Sequence, residues 1–174
     1  SNNFRARVLH PAIILGIAFF IAFSYLSHVP ARITRVLGLT ASRLPVERLI
    51  ELTNQKRVQS GFAPLIVDES LIDAARSKGA DMLSRDYWAH IAPDGTTPWS
   101  FFTQAGYTYH FAGENLARDF DNPEGVVEAW MASPTHKENK LSNRYNDIGI
   151  AVVEGELAGK PTTIVVQLFG ALAG

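Results

Sequence analysis

Two imidazoles and one carboxylate stand out in this chain: His90, Glu114 within Gly113-Glu114-Asn115, and His136 at the end of Trp130-Met131-Ala132-Ser133-Pro134-Thr135-His136. Together such groups suit two tasks, holding a divalent cation and moving a proton. They lie on three separate segments, so they act jointly only if the chain folds back to bring them to one pocket. Each also has a plain structural reading. His90, followed by Ile91-Ala92-Pro93-Asp94-Gly95, suits a hydrogen-bonded loop histidine, Glu114 an ordinary turn, and His136 a surface position at a helix start. Ser133, three residues before His136, invites a Ser-His-Glu hydrolase, but no Gly-x-Ser-x-Gly turn surrounds it and its hydroxyl is needed as a helix cap ahead of Pro134. His136 then falls at the third helical position, where the positive end of the helix dipole favours a neutral ring with a lone pair to give.

The elements that must position these groups are marked by caps and periodicity. Val46, Leu49, Ile50 and Thr53 recur at helical spacing, with Glu47 early and Arg57 late, which predicts a helix from Val46 to Ser60 stopped by Gly61. Asn54 and Arg57 on it suit a buried polar tie to loop backbone. Asp68 caps a second helix to about Asp86, with Leu71, Ala74, Ala75, Lys78 and Met82 on one face; its end delivers His90. Thr97-Pro98, Asn122-Pro123 and Ser133-Pro134 each set a capping residue before a proline, which lacks the amide hydrogen that would go unpaired in a first turn. They predict helices over 97–105, 123–132 and 134–140. Strands are expected at 148–153 and 162–169, joined by a glycine-rich loop, with a third at 110–118. Helices followed by a hairpin define an α+β protein, with a small antiparallel sheet of about three strands flanked by helices.

With 47% hydrophobic and 19% charged residues, 174 residues suffice for one core plus an appendage. A net charge of −1, with no basic stripe in the folded part, argues against nucleic-acid binding. The chain has no cysteine, so packing alone must hold it. The appendage is N-terminal: Pro11 to Leu26 carries no charge, with Arg5 and Arg7 before it and Arg32, Arg35 and Arg43 after. A bilayer core asks for about 20 apolar residues, so residues 1–31 are read as a short membrane anchor, with an interfacial helix or the core of an export signal as alternatives. A linker over 32–45 leads to a domain over 46–170 and a short tail, 171–174.

In this order, Asn54 and Arg57, His90, Gly106-Tyr107, Gly113-Glu114-Asn115, Trp130 to His136, Asp147-Ile148-Gly149-Ile150 and Val166-Gln167-Leu168-Phe169-Gly170 resemble the CAP superfamily, the cysteine-rich secretory, antigen 5 and pathogenesis-related 1 proteins, in its short bacterial form. The resemblance covers roughly Val46 to Gly170. It implies an α-β-α sandwich and a cavity formed by His90, Glu114, Ser133 and His136, with Asn115 at its rim. Many animal and plant members carry a second glutamate where this chain has Ser133, so this chain lacks one of the carboxylates that a two-carboxylate mechanism requires. The resemblance implies that Glu114 orients a histidine ring and that His90 and His136 hold zinc or another divalent cation. It places the domain outside the cytoplasm and leaves two functions open: a binding module for a small molecule, lipid or cell-envelope partner, or a metal-assisted hydrolase using His90, Glu114 and His136.

Overall fold

A computed structural model describes residues 43–173. The expected N-terminal anchor and nearly all of the linker lie outside these residues. Among the described residues no helix is long and apolar enough to cross a membrane.

The elements in chain order are α1 (Val46–Gln59), β1 (Ile66–Val67), α2 (Glu69–Ser84), α3 (Pro98–Gln104), β2 (Tyr109–Arg118), α4 (Pro123–Ala132), α5 (Pro134–Leu141), β3 (Asp147–Leu157) and β4 (Lys160–Leu172). Asp68 accepts from the Leu71 amide and Asn122 from the Gly125 amide, as their places before α2 and α4 predict. Thr97 and Ser133 precede prolines but make no capping bond through their side chains. Gly61 ends α1 at φ +83°, in the left-handed region that favours glycine.

The sheet differs from expectation. It has four strands in the order β1-β3-β4-β2, and β1 runs parallel to β3 while the other pairs are antiparallel. A two-residue strand is too short to show a period in the sequence, which is why β1 escapes a reading by pattern. β4 also runs on to Leu172, so the first two residues of the expected tail are strand.

Helices cover both faces of the sheet. Leu71, Ala74, Ala75 and Met82 of α2 and Phe101 and Phe102 of α3 pack with Leu116, Ala151, Ile164, Val166 and Leu168 on one face. Leu49 and Leu52 of α1 and Val126, Val127 and Trp130 of α4 pack with Ile148, Ile150, Val165 and Phe169 on the other. Alternate strand residues serve opposite cores, so both faces of β3 and β4 are apolar. The tightest contact is at Gly149: a Cβ there would stand 2.2 Å from the Leu71 carbonyl carbon, so glycine lets α2 lie directly on β3.

Candidate functional site

The site gathers at the free edge of β2, whose one sheet neighbour is β4. Glu114 shares a face with Leu116, towards α2, whereas Asn115 points to the α1 side. The edge itself is closed by side chains. Tyr145 Oη donates to the Ala112 carbonyl at 3.1 Å, Asn139 Nδ2 to that of Glu114 at 3.1 Å, and Trp130 Nε1 to that of Leu116 at 3.0 Å. Three alternate carbonyls thereby find donors, and the strand is blunted against pairing with another chain. Gly113 makes room for the tyrosine, since a Cβ there would meet Tyr145 Oη at 2.6 Å.

His90 sits in the loop after α2, and that loop is held from below. The buried Lys78 ammonium donates to Tyr87 Oη at 3.0 Å and to the carbonyls of Ala89 and His90 at 3.1 and 2.8 Å, which uses its three hydrogens. Tyr87 passes its own hydrogen to Asp81, and Arg85 pairs with Asp94 on the far side of the loop. Burial pulls the Lys78 pKa down while Glu114 and Asp81 push it up. The backbone around His90 is therefore fixed before any ligand arrives.

The ring is fixed as well. His90 Nδ1 lies 2.6 Å from Glu114 Oε1, and while the imidazole is half exposed the carboxylate is only 2% accessible. The hydrogen bond to Glu114 raises the His90 pKa above its ordinary value, against burial and the Lys78 charge. Glu114 Oε2 is buried and has no hydrogen-bond partner among the described residues. Buried inside and turned to Nδ1, Glu114 orients the ring and does not face solvent as a ligand.

His136 comes from the opposite face, in the first turn of α5. Its pKa is lowered, first by burial and then by the charge of His90. The helix-dipole argument anticipates the direction; desolvation supplies the larger cause. Ser133 corrects the capping expectation, because its Oγ lies 2.8 Å from His136 Nδ1 instead of accepting a first-turn amide. If Nδ1 donates to that oxygen, Nε2 keeps its lone pair; if the hydroxyl donates, Nε2 carries the proton. The serine serves either tautomer and fixes the orientation of the ring. Asn115 is fully buried and lies behind the site, not at its rim: Nδ2 donates to the His136 carbonyl at 3.1 Å and to Gln167 Oε1 at 3.2 Å, while Oδ1 accepts from Asn139.

Lys140, which has no sequence signal, and two polar residues of α1 complete the mount. Lys140 is fully buried against the Trp130 ring and donates to Thr53 Oγ1 at 2.9 Å. Arg57 donates to the carbonyls of Lys140 and Ser142 at the end of α5 and to that of Ala63, while Asn54 exchanges two bonds with Leu65. The last two are the polar ties to loop backbone that their spacing predicts.

Both Nδ1 atoms are occupied by Glu114 and Ser133, and among the described residues no side chain bonds either Nε2. That leaves two nitrogen donors, and no group of three or more histidine, aspartate or glutamate residues among the described ones is placed to hold a cation. Two ligands fall short of the three that a catalytic zinc takes from its protein.

Helices on both faces of a small mixed sheet, with a His-Glu pair and a second histidine at its edge, define a CAP-type domain. Residues 50–169 match the CAP family, described as the cysteine-rich secretory protein family, and the chain belongs to it. Over 108 residues it is 39% identical to the uncharacterized protein YkwD of Bacillus subtilis, covering 62% of this chain but 42% of that relative, so it spans less than half of the relative's length. The fold is shared with an outer surface protein of Borrelia burgdorferi (TM-score 0.64, 24% identity, 73% of this chain and 92% of that one). It is shared too with an SCP-domain extracellular protein of Bacillus anthracis (TM-score 0.62, 22% identity, 72% and 39%).

Proposed function

We propose that this CAP domain is a binding module working outside the cytoplasm, tethered by the apolar segment at 11–29, with His90 and His136 gripping a small polar molecule or a polar group of a cell-envelope component. The observation that carries this reading is the pair of imidazoles, each held through its Nδ1, by Glu114 and by Ser133. Glu114 favours the charged form of His90 while burial favours the neutral form of His136, so over a range of pH one ring donates as a cation and its neighbour stays uncharged. Such a pair suits a ligand group that both accepts and donates hydrogen bonds. The two structural relatives are described as an outer surface protein and an extracellular protein, which supports the location.

The second reading, a divalent-metal-assisted hydrolase, draws on the occupied Nδ1 atoms, which leave both Nε2 atoms to a cation such as zinc. Bound there, the ion would polarise a carbonyl or activate water, Glu114 and Ser133 would orient the rings, and ligands other than these two imidazoles would fill the remaining positions. The raised His90 pKa opposes it, because a proton competes with the cation for that ring. Zinc titration of the parent, His90→Ala and His136→Ala, alongside an ester hydrolysis assay, separates the two. The binding reading expects weak zinc uptake and no metal-dependent turnover; tight uptake lost in both variants, with turnover that needs the metal, would replace it by the hydrolase. Tethering is tested by membrane fractionation, which should release a chain cut at Leu44 and retain the full one.

A further inference from the structure

A cleft beside α5 and the turn that leads to β3, with Phe62 of the loop after α1 also in its wall, encloses about 710 Å³, within the range of small-molecule sites. Two aromatic rings of that wall are held from behind. Tyr145 stacks on the buried Phe169, with centroids 5.5 Å apart and planes 18° from parallel, and its hydroxyl is spent on the Ala112 carbonyl. Phe62 has the buried Arg57 guanidinium 5.8 Å from its ring centre. Both rings are half-buried and line the cleft, so what is open of each is available to a ligand. With Leu141 they make part of the wall apolar.

The polar part of the wall is largely unspent. Asn139 Nδ2 gives its two hydrogens to the Glu114 carbonyl and to Asn115 Oδ1, which leaves its own Oδ1 without a partner among the described residues. Ser142 Oγ accepts from the Arg144 amide at 3.2 Å and keeps its hydrogen to donate. The side chains of Glu138, Asn143 and Arg144 form no hydrogen bond or ion pair among the described residues; the Arg144 guanidinium lies 5.6 Å from the centre of the Phe111 ring.

An alkyl chain would cover the rings but strip water from these groups and leave them unmatched, a cost that sets it aside. One acid and one base give the wall no net charge, so a polyanion finds no attracting field. A peptide added as a strand would need the β2 edge, where Tyr145, Asn139 and Trp130 already hold the carbonyls of Ala112, Glu114 and Leu116. A sugar meets both parts of the wall: the C–H groups of its ring lie on an aromatic face, and each hydroxyl both donates and accepts. From this inventory we infer that the cleft binds a short neutral oligosaccharide, its C–H faces on Tyr145 and Phe62 and its hydroxyls on Asn139, Ser142, Asn143 and the two charged side chains. The assignment does not rest on ligand capture by the imidazoles.

The test is amide chemical-shift mapping of the isotope-labelled full chain with five probes: chitotetraose, cellotetraose, maltotetraose, tetra-alanine and decanoate. At least one of the sugars is expected to shift the amides of Ser142 to Tyr145 saturably and to show nuclear Overhauser contacts from its ring protons to Tyr145 or Phe62. Phe62→Ala should weaken that sugar by about fivefold to tenfold, the scale of one lost aromatic contact, and Phe62→Trp should restore it. Asn143→Ala, at an exposed position of the turn, should weaken it by about threefold and is independent of how the Phe62 ring packs. His136→Ala should bind the sugar as the parent does. Saturable shifts from none of the sugars, shifts from tetra-alanine or decanoate in their place, or a sugar affinity unchanged in both Phe62→Ala and Asn143→Ala would each overturn the assignment. Loss of sugar binding in His136→Ala would overturn it too, by moving the ligand to the imidazole pair.

Discussion

Replacing Lys140 by methionine should change how the stability of this domain depends on pH. Lys140 is sealed between α1, α4 and α5, with one hydrogen bond to Thr53, the Trp130 ring beneath it and no carboxylate partner among the described residues. Burial, and to a lesser degree the Lys56 charge, brings its pKa from 10.5 down to about 7. Between those values the unfolded chain binds a proton that the folded chain does not, so the stability contributed by Lys140 rises with pH and is lost again as pH falls towards 7. At 1.36 kcal/mol per unit the full span is about 5 kcal/mol, of which about 2.5 kcal/mol falls between pH 7.5 and 9.5. Urea unfolding of parent and Lys140→Met at several pH values across that interval isolates this group, because the other titrating residues are common to both. The parent should gain about 2.5 kcal/mol relative to the variant as pH rises, and methionine, of similar length and needing no solvation, should be the more stable of the two near pH 7. A difference between the two that stays flat with pH would refute the reasoning, since it would mean that the amine is charged or neutral in both states alike.

Glu114→Gln removes the carboxylate that holds the His90 proton, so the His90 pKa should fall, and ring-proton NMR titration would read the change directly. An unmoved pKa would mean that the 2.6 Å contact does not govern the ring. Gly149→Ala puts a methyl group 2.2 Å from backbone of α2, which can yield only by lifting the helix, and should cost about 3 kcal/mol in urea unfolding. Asn139→Ala removes donors to the Glu114 carbonyl and Asn115 Oδ1, leaving buried acceptors unmatched, and should cost about 2 kcal/mol by the same assay.

How far the sequence reveals this design depends on the range of the interactions. Local signals are faithful: the Asp68 and Asn122 caps, the stop at Gly61 and the stripe Leu71, Ala74, Ala75, Lys78, Met82 all concern neighbours within a turn or two, and the stripe is buried throughout. The His90–Glu114 pair is legible through family resemblance and not through spacing, because a separation of 24 positions leaves no local constraint. Ser133 shows where local reasoning fails. A serine before proline reads as a cap, but the imidazole three residues on competes for its hydroxyl and holds it. The network Thr53, Gln167, Asn115 and Asn139 joins positions as far as 114 residues apart, and Lys140 looks from its polar helix like a surface charge until Trp130 and Thr53 close over it. No periodicity encodes such contacts; they exist only once both sheet faces are covered.

The central claim is that His90 and His136 meet around the edge of β2, and their mutual influence on protonation tests it most directly. Ring-proton NMR titration of His136 in the parent and in His90→Ala should show its pKa rising when the neighbouring ring is removed, because the His90 charge helps to hold it down. A His136 titration curve that is the same in both proteins would contradict the account, for then the two imidazoles would not share one site.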